Sequence, residues 1–418
     1  MDLTKYRSLP AKLMFAGAIV TVVGLIVSWQ HDGGTNFLFS WLVAFMFVLS
    51  LGLGGLALVI IHHLFDAGWS VSIRRTAEHL ASLLPWMIPL FFPIIVGRKI
   101  LFEWMRLEAA HTPDHALTAK APLFTTVGFF VVSIGCFAVW WLLSNRLKHW
   151  SLKQDETGAA ECTYKMRFHA SWGVWAFAFS LTLAAIMWMK ALHHEWFSTM
   201  YGVQYWAGSV WLTLATVYLI TMILDRQQII SEVLHEHQYY FLGSVFFAFT
   251  VFYAYVTFAQ YFIIWNANMP EETFWYVLRE KGTWFWAAMV IIFGHFFVPF
   301  LGLLRIDVKS NFRYMMFMVV WAWAMHFNDM CFNILPANKN FAGGFPFGWV
   351  WLPLGILALM VGFLMDRFLK KFVSAPPFPI KDPRLMEAMG LYHPVATPIS
   401  GGEMDQAHTM RGAPKGGH

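Results

Sequence analysis

The chain has 418 residues, 58% hydrophobic, 18% aromatic and only 13% charged, with a mean hydropathy of +0.54. A soluble globular chain carries about a quarter charged residues, so composition excludes a soluble enzyme or a soluble binding module. The net charge of +5 is no nucleic-acid signal either, because Lys and Arg in so apolar a chain report membrane topology.

A spanning helix needs about 20 apolar residues. Ten segments meet that requirement: 11–29, 37–61, 80–96, 122–143, 168–189, 203–224, 239–265, 283–304, 312–333 and 347–368. Only helices and closed barrels satisfy their backbone in lipid, so the expectation is an all-α polytopic membrane protein. The first segment has no small-residue cleavage site between Lys12 and His31, so it reads as a retained span. The third is broken by Pro85, Pro89 and Pro93, each of which removes a backbone donor. Gly52, Gly54 and Gly55 in the second span read as a helix-packing face. Trp29, Trp104, Trp265 and Trp275 read as an interfacial aromatic belt.

Ten spans put both termini on one side. That side holds three Lys and Arg before the first span, two, five, one and three in its loops, and seven in the tail: 21 of the 29. The positive-inside rule then places both termini, and a loop over 66–79 with Arg74 and Arg75, in the cytoplasm. Residues 1–371 form the transmembrane domain and 372–418 a Pro/Gly-rich cytoplasmic tail, extended or docked on a partner. His393, His408 and His418 in the tail are too sparse for a metal tract.

An internal echo is visible. The second span closes on Asp66 and Glu78-His79 opens the third; the sixth closes on Asp225 and Glu236-His237 opens the seventh. A duplicated four-helix unit, with halves at about 37–189 and 203–333, accounts for this, as does chance.

Ionisable groups within hydrocarbon are costly and are functional candidates by default. The deepest are His295, His326 and Asp329. At one face sit His62, His63, Asp66, Glu78, His79, Asp225, Glu232, Glu236 and His237, and near the other Lys190 and His193. One reading makes His295 and His326 hydrogen-bonded core residues tying helices together. A second makes them members of a proton relay, since imidazole passes a proton through its two nitrogens. A third, axial ligation of a b-type haem, fits poorly: at 1.5 Å per residue their expected depths differ by about 7 Å. Cys136, Cys162 and Cys331 form no C-x-x-C or haem-attachment motif, and no metal site is expected.

Two stretches carry a family likeness: HHLFDAGWSVSIRRTAEHLASLLPW (62–86) and FAQYFIIWNANMPEETFWYVLR (258–279), with KDPRL (381–385) in the tail. With ten spans and a doubled four-helix unit, they resemble the polysulfide-reductase membrane-subunit (NrfD-like) family, and within it the membrane subunits of alternative complex III. The resemblance implies two four-helix bundles, spans two to five and six to nine, plus flanking helices in a bacterial inner membrane. It implies a subunit of a quinol:electron-acceptor oxidoreductase that passes electrons to cytochrome c or a terminal oxidase. Partners would be a paralogous NrfD-like subunit, an iron–sulfur subunit and haem c subunits, surrounded by lipids. Iron–sulfur clusters and haem c would belong to those partners, with no redox centre on this chain, although family members can bind a quinol. The implied role is structural support or a proton half-channel leading from the cytoplasmic acid and His set toward mid-membrane. The residues alone also admit a secondary transporter with repeated bundles, or a quinone-binding subunit resembling a b-type cytochrome.

Overall fold

The structure, a computed structural model, describes residues 8–110, 114–121 and 123–391, apart from the side chain of Glu236. Among them there are helices and connecting turns and no strand. The long elements are α1 (Ser8–Asp32), α2 (Thr35–Phe65), α3 (Val71–Ala81), α4 (Met87–Val96), α5 (Thr126–Thr157), α6 (Ala160–Trp188), α7 (Tyr201–Arg226), α8 (Glu236–Ala267), α9 (Trp284–Gly302), α10 (Phe312–Ile334) and α11 (Trp351–Val373). Nine helices among the described residues are long and apolar enough to cross a membrane, with α3 and α4 together counting as one. The tenth expected span is the 23-residue α10. It is not among the nine, because His326, Asn328, Asp329 and Asn333 lower its hydropathy. The protein is an all-α polytopic membrane protein.

The helices α2, α3/α4, α5 and α6 form one four-helix group, and α7 to α10 form a second. The groups meet through α2 and α7, which are buried nearly all round, as a helix apolar on every face should be. Gly54 permits that contact: a Cβ there would lie 2.5 Å from the Ser209 carbonyl oxygen on α7. The flanking pair α1 and α11 packs against the first group through α2. At Gly17 a Cβ would lie 2.4 Å from the backbone of Leu359, so the two outer helices also approach through a small residue.

Three expectations are corrected. Residues 66–79 are not a solvated loop, because α3 begins at Val71 and is buried along its whole length, Arg74 and Arg75 included. The third crossing thus runs from Gly68 to Val96, broken by a 3-10 turn at Leu84–Trp86 that Pro85 opens. Trp29 and Trp265 are exposed like belt residues, but Trp104 and Trp275 are buried, with their rings packed against Phe124 and Trp196. The tail up to residue 391 lies on the chain's own helices, with a short helix at Leu385–Ala388. His393, His408 and His418 lie outside the described residues.

Candidate functional site

The mid-helix site is built around a defect in α9. Residues Ile291–Phe297 wind as a π-helix, a rare form that is frequent at functional sites. The wider turn leaves the Gly294 carbonyl to accept from Trp321 Nε1 at 2.7 Å. His295 is fully buried, its ring stacked between Trp211 (centroids 4.0 Å apart) and Tyr253 (3.9 Å). Neither imidazole nitrogen has a side-chain hydrogen-bond partner among the described residues. His326 on α10 is equally buried; its Nε2 lies 3.0 Å from Ser50 Oγ on α2, and its Nδ1 is unpartnered. The ring rests on α7, where a Cβ at Gly208 would sit 3.4 Å from His326 and 3.5 Å from Tyr253.

From there a polar run follows one face of α10. His326, Asp329 and Asn333 are spaced i, i+3, i+7, which aligns them on a helix. Asn333 Nδ2 donates to Asp329 Oδ1 at 3.0 Å, and Tyr201 Oη donates to Asn333 Oδ1 at 3.1 Å. The Tyr253 phenol faces the Asp329 carboxyl group without closing a direct bond. Alongside, Gln260 joins Gln204 (3.3 Å), Tyr276 (3.1 Å) and Ser198 (2.6 Å). Arg279 closes this end, giving Nε to the Phe332 carbonyl and Nη2 to the Asn333 carbonyl at 2.9 and 2.8 Å, with its guanidinium over Trp275. Burial draws Arg279 down to about 9, against the opposing influence of Tyr201 and Tyr276. Burial, reinforced by Arg279, holds the nearby His193 imidazole down at about 3, so it is neutral at physiological pH.

A separate ionic cluster lies at the other end of the bundle. Glu78 accepts from Arg74 Nε at 3.1 Å and from Arg75 Nη1 at 2.9 Å. Arg75 also pairs with Asp155 of α5, and Arg74 with Asp382 of the tail. Arg74 Nη1 is 3.0 Å from His62 Nε2, and the other nitrogen of that ring is 2.7 Å from Ser70 Oγ. The arginines and Glu78 are at most 3% exposed. His63 sits edge-on to His62, and Lys148 Nζ lies 3.0 Å from His79 Nδ1. Asp66 pairs with both Arg167 and Arg384.

The remaining sequence candidates fall elsewhere. Asp225 accepts from Tyr239 Oη at 2.7 Å rather than pairing with Arg226, whose guanidinium covers Phe312. Glu232 and His237 are exposed, the latter stacked on His235. Glu236 opens α8, and its side chain lies outside the described residues. Lys190 is buried beside Lys120 and over Phe124. Asp114, His194 and Glu195 hold their ligand-type atoms within 4.8 Å of one another, but the Lys120 ammonium already donates to the backbone of the latter two.

The structure therefore joins His295, His326 and Asp329 into one polar region, and His62, His63 and Glu78 into another. Between the two lies a wholly apolar cavity of about 240 Å³, lined by Leu51, Leu80, Trp323 and Phe368 among others. Phe368 and Phe372 on its wall also cover the His79 ring. The hydrogen-bonded run from Asp329 through Asn333 to Tyr201 leads away from the His62 cluster. Sequence reasoning missed Tyr253, Asn333, Tyr201, Gln204 and Gln260, because uncharged polar residues and tyrosines are unremarkable in so aromatic a chain, and Arg279, because it lies between two apolar segments where an arginine counts toward topology. The spacing from His326 to Asn333 was the available signal. No known family matches the chain, and no curated protein matches it.

Proposed function

We propose that this chain is a proton-handling membrane subunit of a quinol:electron-acceptor oxidoreductase of the alternative complex III kind. The complex-level reading rests on the resemblance of residues 62–86 and 258–279 to NrfD-like membrane subunits. In this reading the redox centres sit on haem c and iron–sulfur partners. The proton-handling part rests on one observation: buried titratable and amide side chains line up from His326 past Asp329 and Asn333 to Tyr201, hydrogen-bonded to one another from Asp329 onward.

A carboxyl group, a phenol and two imidazoles are groups that can accept and release a proton in turn. The π-turn stacks the His295 ring on Tyr253, whose phenol lies on the Asp329 side. Asn333 fixes the carboxyl group, and Tyr201 fixes Asn333. The half-channel in this reading runs toward the Tyr201 end, where Arg279 caps it. The apolar cavity on the His62 side supplies a dry barrier, which a half-channel needs if it is not to leak.

Two measurements test this. Affinity purification of the chain from native membranes should bring down haem c and iron–sulfur subunits; a solitary protein overturns the complex-level reading. In the purified complex, Asp329→Asn should leave assembly intact and slow the rate of quinol-driven proton release by about 100-fold, the low end of the range for a lost general acid–base group. Unchanged proton release with both Asp329→Asn and His295→Phe reduces the polar run to packing.

A further inference from the structure

The outer face of α5 carries a basic groove that neither the central relay nor the ionic cluster uses. Between Thr126 and Asn145 the helix has twenty residues and no charge, which matches the hydrocarbon thickness. Arg146 is the first charged residue after that stretch, so it sits at headgroup depth. Trp141, Leu142, Asn145, Arg146 and His149 form one continuous helical face and border a shallow, open hollow on the surface. Arg146, Asn145 and His149 are exposed there.

The charge on this face is mostly basic, with Glu156 two turns beyond His149 as its exposed acid. Among the described residues, no carboxylate forms an ion pair with Arg146. On the next turn, Lys153 of α5 and Lys165 of α6 both lie over the Trp150 ring. Two other acids of this region are engaged elsewhere. Asp155 is taken by Arg75 and by the Ile380 amide, and Glu161 lies 3.9 Å from Lys165. Toward mid-membrane the same face continues as an exposed apolar stripe through Val127, Val131, Ile134 and Trp141. A guanidinium, an amide and an imidazole at headgroup depth, above a stripe that only hydrocarbon can cover, are complementary to one amphiphile in the surrounding bilayer.

We propose that this groove binds an anionic phospholipid. Arg146 takes the phosphate through its planar fork, Asn145 and His149 hydrogen-bond the headgroup, and an acyl chain lies along Ile134 and Val131. Trp141 sits at the boundary between the two, as interfacial tryptophans do. The site is independent of the proton-handling reading.

Native mass spectrometry of the full chain, extracted from membranes and exchanged with phosphatidylglycerol or phosphatidylcholine vesicles, tests it. Wild type should retain phosphatidylglycerol in preference to phosphatidylcholine. Losing one charge-assisted contact should cut that preference roughly tenfold in Arg146→Gln, while Arg146→Lys keeps part of it. Melting at the wild-type temperature shows that the variants are folded. An unchanged preference in Arg146→Gln overturns the site. Displacement of the lipid by inorganic phosphate at the same concentration also overturns it, leaving a simple anion site. A photo-crosslinker on Asn145→Cys in native membranes should capture lipid; capture of a protein instead makes this face a subunit interface and overturns the proposal.

Discussion

The junctions after α2 and after α7 look alike in sequence and are opposites in the fold. In each, an aspartate ends one apolar segment and a Glu-His pair follows eleven or twelve residues later. At the first, α3 folds back into the bundle, and Glu78 and His79 are buried with Arg74 and Arg75. At the second, Asp225 is tied to Tyr239 on the adjoining helix, while Glu232 and His237 face outward. The difference comes from what each junction packs against. The first lies under α11 and the tail, whose Asp382 and Ile380 amide reach its charges. The second is covered by a smaller apolar group in which Leu224, Ile230 and Val233 pack on Phe372. The lesson is that like charge patterns acquire unlike roles when the charges of only one of them are buried and paired.

Substitutions should separate the two junctions by their size of effect. Glu78→Ala leaves two buried guanidinium groups facing each other, and breaking such a network costs about 3–5 kcal/mol. The melting temperature in detergent should fall accordingly, and a loss no larger than that for Asp225→Asn would erase the distinction. Asp382→Asn removes one charged partner of Arg74 while Glu78 remains, so about 1.5–3 kcal/mol is expected. Hydrogen exchange in residues 374–391 should rise with it.

Lys190, at the opposite end, sharpens the contrast because it is buried beside a like charge. Burial first, and then Lys120, push its ammonium down to about 7 from 10.5. The unfolded chain therefore binds the extra proton between those values, and stability should rise as pH is raised from 7 to 10. A gain on the order of 2 kcal/mol is expected, measured as the change in melting temperature with pH and absent in Lys190→Met. Asp225→Asn weakens one hydrogen bond and should cost about 1 kcal/mol. Glu232→Ala, on an exposed turn, should stay within about 0.5 kcal/mol.

Much of the fold was legible because membrane crossing is a local demand: about 20 apolar residues and an internally satisfied backbone. The central histidines and Asp329 were legible for a related reason, since a titratable group in an apolar run is visible in one dimension. The polar run that connects them was not, because Tyr253, Gln260 and Tyr201 differ in no local way from the many aromatic and amide residues elsewhere in the chain. Arg74 and Arg75 misled in the other direction. Their charge counts toward topology, while their burial depends on Glu78, Asp155 and the tail's Asp382, brought together from α3, α5 and a segment some 300 residues away.

The sequence by itself determined that this chain is helical, lies in a membrane and carries ionisable groups at mid-bilayer, because each of these follows from the composition of single segments. Only the tertiary structure decided which of those groups share an environment. Burial, pairing and the break between the two polar regions depend on which helices lie side by side, and here close approaches such as that at Gly54 settle it.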